Sequence, residues 1–368
     1  MEIPFVDLKA QYLSIKDEID YAIQNVINET AFIKGPYVQQ FEEQYAKAYG
    51  VKHVVSCANG TDAIYIALKA LGIGTGDEVI TTALSWISTS ETITQSGAKV
   101  VFVDIDPDYY TIDPKKIEEK ITKKTKAIIP VHLYGCPANM SEIMSIAKKH
   151  NLKIIEDCAQ AHFAQWDKQN VGTIGDVGTF SFFPGKNLGA YGDAGCIITD
   201  DSDLARKMHL FSKHGALGKH DHEIEGINSR LDGLQAAILS VKLKYINEWT
   251  DLRIQHAATY NKLFSNSDNI ITPLVHENAK HVFHIYVIRV ENRDELQYNL
   301  KQNGISTGIH YPNAMPYLKA YKYLNHVPDD FPIAYKYSRQ ILSLPIYAEL
   351  ESNNINIIAD VLKKFSRA

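Results

Sequence analysis

Ala127-Ile128-Ile129-Pro130-Val131-His132, a helical pattern over Ser141–His150, and then Lys153-Ile154-Ile155-Glu156-Asp157 make one unit of a pattern that recurs along the chain. Further strand-like runs lie at His53–Cys57, Glu78–Thr81, Val100–Asp104, Thr179–Phe183 and Gly195–Thr199, with helical patterns at Asp62–Leu71 and Ser202–Phe211. Several of these runs are apolar without alternation, as expected of strands covered on both faces of a sheet. Strand–helix alternation predicts an α/β chain on a mainly parallel, doubly wound sheet of seven strands. Ligands of such sheets bind outside the carboxyl ends of strands. Asp157 and Lys186 both fall near predicted strand ends.

The remaining segments read differently. Leu231–Phe264 contains no proline and one glycine, Gly233, near its start, so it reads as a long helix, bent near Asn247, that links two domains. His281–Val290 reads as a strand and Asp294–Asn303 as a helix ending at Gly304, a residue suited to a left-handed C-cap. That pattern predicts a smaller α+β domain. At the amino terminus an amphipathic helix over Tyr12–Asn28, a Gly35-Pro36 turn and a helix over Val38–Tyr49 are placed on the smaller domain's side of a cleft. The expected division is 1–50 as a helical segment packing at the cleft, 51–245 as a large cofactor-binding domain and 246–368 as a small carboxy-terminal domain.

Composition bounds the function. With 368 residues, 45% hydrophobic and 22% charged, the chain suits a soluble globular protein of one large and one smaller domain. A net charge of −5 argues against nonspecific nucleic-acid binding, which needs a basic surface. No run of about 18 apolar residues is present, so no membrane span is expected. Met1-Glu2-Ile3-Pro4-Phe5 has no signal-peptide character, and a cytoplasmic location is expected. Cys57, Cys136, Cys158 and Cys196 form no C-x-x-C pair and are expected to be small buried thiols. The histidines show no zinc-ligand spacing; His214, His220 and His222 read as a polar loop, and no metal is expected.

The chemistry concentrates on Thr179-Phe180-Ser181-Phe182-Phe183-Pro184-Gly185-Lys186-Asn187-Leu188-Gly189 and on Ile154-Ile155-Glu156-Asp157-Cys158-Ala159-Gln160-Ala161-His162. A lysine after one apolar strand and a carboxylate ending another suggest a pyridoxal phosphate site. Lys186 would bond the aldehyde, and Asp157 would keep the pyridine nitrogen protonated. Glu156 should face the other way. Asn59-Gly60-Thr61, between a strand and a helix, offers free N–H groups to the phosphate, with Ser181 as a further contact. The Asp62 carboxylate is expected to turn away from that anion, toward a capping role. Trp86 supplies a flat group for the ring, and Gln160 an amide donor for the ring oxygen. Each has a bland alternative: a surface lysine in a glycine-rich loop, a helix N-cap aspartate, an ordinary strand–turn–helix junction, a structural tryptophan and a generic loop hydrogen bond.

Taken with Pro4-Phe5-Val6-Asp7-Leu8, Asn59-Gly60-Thr61-Asp62-Ala63, Val131-His132-Leu133-Tyr134-Gly135 and Asn228-Ser229-Arg230-Leu231-Asp232, these segments resemble the DegT/DnrJ/EryC1/StrS sugar aminotransferases over nearly the full length. The resemblance implies the aspartate-aminotransferase-like architecture, fold type I. It also implies Lys186 as catalytic residue and cofactor attachment point, Asp157 on the ring nitrogen, Gln160 near the ring oxygen, Trp86 stacking, and Gly60, Thr61 and Ser181 on the phosphate. It further implies that Asn228 reaches the phosphate of a neighbouring subunit, in a homodimer with shared active sites. Phe163 departs from the pattern, since family members often have glycine there, and is expected to reshape a wall of the cleft.

The lysine segment with Asp193-Ala194-Gly195 resembles the branch that aminates carbon 3 of a nucleotide-linked keto sugar; the carbon-4 branch follows its lysine with Asn-Ile-Thr-Thr. His310-Tyr311-Pro312 matches a loop bordering the sugar, a structural turn being the alternative. The implied reaction converts a dTDP-3-keto-6-deoxyhexose to its 3-amino sugar. L-glutamate is the implied donor, the cofactor passing through pyridoxamine phosphate, and the product serves a surface glycan such as lipopolysaccharide, or a secondary metabolite. UDP-linked 3-keto uronates and 4-keto sugars are the alternative substrates. Two rivals remain: a sugar dehydratase, whose family counterpart of Lys186 is histidine, and a non-catalytic cofactor-binding regulator.

Overall fold

The structure, a computed structural model, describes residues 2–218 and 220–365. Seven strands form the main sheet: β1 (His53–Cys57), β2 (Glu78–Thr82), β3 (Lys99–Val103), β4 (Thr125–Ile129), β5 (Lys153–Asp157), β6 (Val177–Ser181) and β7 (Gly195–Thr199). Their order is β1-β7-β6-β5-β4-β2-β3. Every pair is parallel except those of β7, which runs antiparallel to both β1 and β6. The expected mainly parallel seven-stranded sheet is therefore the one observed, with β7 as its single reversed strand.

Strand ends differ from the sequence reading for identifiable reasons. β4 stops at Ile129 because Pro130 has no N–H to give the ladder. Val131 keeps only an isolated bridge to Asp157. β3 ends one residue early, and the freed Asp104 carboxylate accepts the N–H groups of Ile333 and Ala334. β6 ends at Ser181, so Phe183 leaves the sheet and stands exposed.

Helices cover both faces. Gly60–Ala70 and Ser202–Ser212 pack on one side around Ile64, Leu68 and Met208. Met140–His150 and the segment Pro36–Tyr49 bury Ile143, Phe41 and Tyr45 on others. The amino-terminal helical stretch breaks at Ile15 into Leu8–Ser14 and Lys16–Asn28. Lys16–Asn28 and Pro36–Tyr49 lie against the helix Gly233–Lys242, while Phe5 and Val6 reach the cleft. Instead of one bent helix over 231–264 there are two, Gly233–Lys242 and Ile246–Phe264, joined by a short turn.

A second core gathers Tyr260, Phe264, Tyr286, Ile288, Leu344 and Ile358. Its sheet has two antiparallel strands, β8 (Tyr286–Arg289) and β9 (Ile341–Leu344). β8 is shorter than the expected 281–290. Val282 gives its N–H to Gly135, and His281 stacks on Phe283 with centroids 3.9 Å apart, so this part of the chain docks on the main unit instead of extending the strand. The helix Arg293–Gln302 does end at Gly304, with φ at +75°. Ile3 is bonded to Gly304 and Ser306, which ties the amino terminus to this unit. No helix among the described residues is long and apolar enough to cross a membrane.

Candidate active site

A cleft of about 520 Å³ opens at the carboxyl ends of β1, β5 and β6. Gly60, Thr61, Trp86, Asp157, Gln160, Ser181, Lys186, His310 and Tyr311 all line it. Asn228 does not: it is exposed and bridged to Lys213, outside the cleft of its own chain.

Asp157 ends β5 and is 5% exposed. Thr89 donates its hydroxyl to Oδ2 at 2.7 Å, and the N–H of Ala159 donates to Oδ1 at 3.1 Å. Burial pushes the pKa of this carboxyl up; those two hydrogen bonds and the positive charge of Lys186 oppose the rise. Glu156, one residue earlier, faces away as the strand requires. It accepts from His132 Nε2 at 3.0 Å and from the N–H groups of Gly172, Ile174 and Gly175. Although Glu156, His132 and Cys158 lie close enough to suggest ligands, His132 Nδ1 also accepts from Ala138, so the group is spent on fastening loops.

Lys186 sits in a closed turn, its N–H bonded to the Phe183 carbonyl at 2.8 Å. The turn closes because residue 189 has no side chain: a Cβ there would stand 2.3 Å from the Pro184 oxygen. Burial lowers the Lys186 pKa to about 8, against the opposing pull of Asp157. A neutral fraction of amine is thus present near neutral pH.

At the start of helix Gly60–Ala70, Asn59 accepts the N–H of Asp62. Asn59, not Asp62, is therefore the cap. The Asp62 carboxylate turns away, as expected, to accept the Ser229 hydroxyl at 2.6 Å. A Cβ on Gly60 would lie 2.7 Å from the Ser181 Cβ. Gly195 is paired with Cys57 on one side and Ser181 on the other, and a Cβ there would come within 2.5 Å of the Asn59 oxygen. Three segments thus converge at van der Waals limits around a helix amino terminus. The Thr61 and Ser88 hydroxyls lie 2.7 Å apart beside it.

Trp86 is 58% exposed, its ring centroid 5.6 Å from that of Tyr311. Gln160 accepts the N–H of Tyr134 and donates to the Tyr311 hydroxyl at 3.0 Å, which fixes the orientation of its amide. His310 bonds the Ser343 hydroxyl through Nδ1 at 2.8 Å and stacks on Phe5. Burial, then Lys186, lowers its pKa to about 4, so it is neutral.

Phe163 corrects the sequence reading. It does not form a wall of the cleft but packs on Tyr49 with centroids 4.5 Å apart, its N–H on the Tyr49 hydroxyl. Its φ of +59° is the backbone conformation that a glycine would take freely. Sequence reasoning missed Thr89 and Arg253, and gave His162 no role. His162 is fully buried; its Nε2 donates to the Ser181 carbonyl at 2.9 Å, while Nδ1 pairs with the Tyr45 hydroxyl. A signal existed for Arg253: it lies on one helical face with Trp249, His256, Ala257 and Tyr260, all of them buried.

The site fits pyridoxal phosphate on these observations. It joins a lysine of depressed pKa, a buried carboxylate held by two donors, and a helix amino terminus where side chains beyond hydrogen would collide.

Comparison with known proteins agrees. Residues 13–363 match the DegT/DnrJ/EryC1/StrS aminotransferase family. A pleiotropic regulatory protein of Geobacillus stearothermophilus is 46% identical over 100% of this chain and 99% of its own. UDP-N-acetyl-3-dehydro-alpha-D-glucosamine 3-aminotransferase of Acidithiobacillus ferrooxidans is 41% identical over 98% and 97%. dTDP-3-amino-3,6-dideoxy-alpha-D-galactopyranose transaminase of Aneurinibacillus thermoaerophilus is 41% identical over 99% of each chain. The structure of S. venezuelae DesV in complex with a ketimine intermediate has a TM-score of 0.98 at 37% identity, covering 100% of this chain and 99% of that one.

Proposed function

The chain belongs to the DegT/DnrJ/EryC1/StrS aminotransferase family, and we propose that it transfers an amino group from L-glutamate to carbon 3 of a dTDP-linked 3-keto-6-deoxyhexose. It is a pyridoxal-phosphate-dependent sugar aminotransferase of fold type I. The observation that carries the reading is the meeting of Lys186, Asp157 and the Gly60 cradle in one cleft.

Bound pyridoxal phosphate supplies an aldehyde for amine exchange and a protonated ring that withdraws electrons from the carbon being ionised. Lys186 Nζ is the attachment point and, when free, the base and acid that moves the proton at the reacting carbon; a pKa of about 8 suits both roles. Asp157 would hold the ring nitrogen, its orientation set by Thr89 and Ala159. Gly60, Thr61 and Ser181 would hold the phosphate, joined by Asn228 of the partner subunit in a homodimer. Trp86 would cover the ring, and Gln160, already oriented by Tyr134 and Tyr311, would donate to its oxygen. His310 and Tyr311 would border the sugar. The reaction is assigned to the cytoplasm.

Support for carbon 3 comes from the lysine segment and from the 3-amino sugars named for two relatives. The Acidithiobacillus relative favours a second reading, a UDP-linked 3-keto sugar. Incubation with L-glutamate and dTDP- or UDP-linked 3-keto and 4-keto sugars, with mass detection of the amine, tests both. The amine is expected from the dTDP-linked 3-keto sugar; amination of 4-keto sugars alone, or no amine from any, overturns the reading.

A further inference from the structure

Arg253 lies midway along Ile246–Phe264, and its side chain lines the cleft although the residue is 5% exposed. Nη1 donates to three carbonyl oxygens, those of Phe283 at 3.2 Å, His284 at 3.4 Å and Ile346 at 2.9 Å. No carboxylate is among its hydrogen-bond partners, and among the described residues neither Nε nor Nη2 has a partner. A guanidinium carries five N–H donors in a fork shaped for a carboxylate. Here much of that fork is unspent.

The electrostatics agree. Burial pulls the Arg253 pKa down to about 10, with Glu349 opposing. A cation taken out of water without a hydrogen-bonded counter-ion is costly, and an arriving anion relieves that cost. Among the residues lining the cleft, Lys186 and Arg253 are the only lysine and arginine. His284 and His310 are held neutral by burial. Lys186 has the charge of Asp157 opposite it and Arg253 that of Glu349, but no carboxylate is hydrogen-bonded to the Arg253 fork.

Two substrates take turns in this cleft. The ring of the proposed dTDP-linked 3-keto-6-deoxyhexose is uncharged, and its diphosphate is joined to carbon 1 rather than to the reacting carbon 3. The amino donor is small and carries two carboxylates. We propose that Arg253 binds a carboxylate of the amino donor. This rests on L-glutamate as donor.

The test is isothermal titration of the cofactor-loaded protein with glutarate and, separately, with dTDP. Arg253→Gln should weaken glutarate about tenfold or more, the loss of a charged hydrogen bond, and leave dTDP within about twofold. Arg253→Lys should fall between the variant and the wild type. In steady state the KM for L-glutamate should rise while that for the nucleotide sugar holds. Glutarate affinity unchanged in both variants overturns the proposal. So does equal weakening of glutarate and dTDP, or failure of both variants to fold, since either makes Arg253 a support for the 283–284 and 346 carbonyls alone. Wild-type protein that ignores glutarate yet aminates the sugar from another amine overturns the donor reading itself, a separate result.

Discussion

Thr89 gives its hydroxyl proton to Oδ2 of Asp157 across 2.7 Å, from the first turn of a helix 68 residues away in sequence. With the Ala159 N–H on the other oxygen, it opposes the rise in pKa that burial imposes on this carboxyl. Thr89→Val preserves shape and deletes the donor. The Asp157 pKa then rises further, so the acid limb of kcat/KM should move to higher pH, and cofactor affinity should drop about tenfold. A pH–rate profile and an absorbance titration with pyridoxal phosphate read both; an unmoved acid limb refutes the role.

Lys186 makes a stability prediction in the cofactor-free protein. Its folded pKa of about 8 lies below the value of about 10.4 in an unfolded chain. Between those values the unfolded chain binds more protons, so the cost of burying this amine shrinks as pH rises. Lys186→Met should therefore be the more stable protein at pH 7 in urea, with the difference fading between about pH 8 and 10. The same variant should take up no borohydride-fixed cofactor. A pH-independent stability difference would contradict the burial.

Gly60→Ala sets a methyl group 2.7 Å from the Ser181 Cβ, so one of two backbones must shift. Cofactor affinity should fall about tenfold or more, given the steepness of overpacking costs, while circular dichroism shows an intact fold. Retention of cofactor through dialysis equal to that of the wild type would contradict the close approach.

Lys242 is fully buried, its Nζ on the Gly189 carbonyl at 2.7 Å and 4.3 Å from the Tyr191 ring centroid. Lys242→Met removes a desolvated charge but orphans a carbonyl in the turn that carries Lys186. These effects oppose, so global stability should change by less than about 2 kcal/mol. The turnover number should nevertheless fall about tenfold, because a loosened turn misplaces Lys186. Unfolding curves and kcat separate the two.

Much of this site was legible in the sequence because its chemistry sits in short contiguous signals. Asp157 ends an apolar strand, Gly60 and Thr61 open a helix, and Lys186 follows a strand within a glycine-rich turn. What stayed hidden arises between distant segments. Nothing near Thr89 marks a partner of Asp157, and nothing near His162 marks its bond to the Ser181 carbonyl. Strand limits slipped where a single backbone property overrides the apolar pattern, as at Pro130. Phe163 was placed in the wrong wall because a change from glycine signals φ before it signals location.

The reversed strand β7 has an outcome beyond topology. Neighbouring strands lie about 4.8 Å apart, so the ends of β1 and β6 stand about 10 Å from each other with only the start of β7 between them. That start is Gly195, opposite Cys57 and Ser181 at once. The width of the anion seat is accordingly metered by one absent methyl group. A randomised library at 195 should return glycine alone among active clones, however permissive the rest of the strand proves.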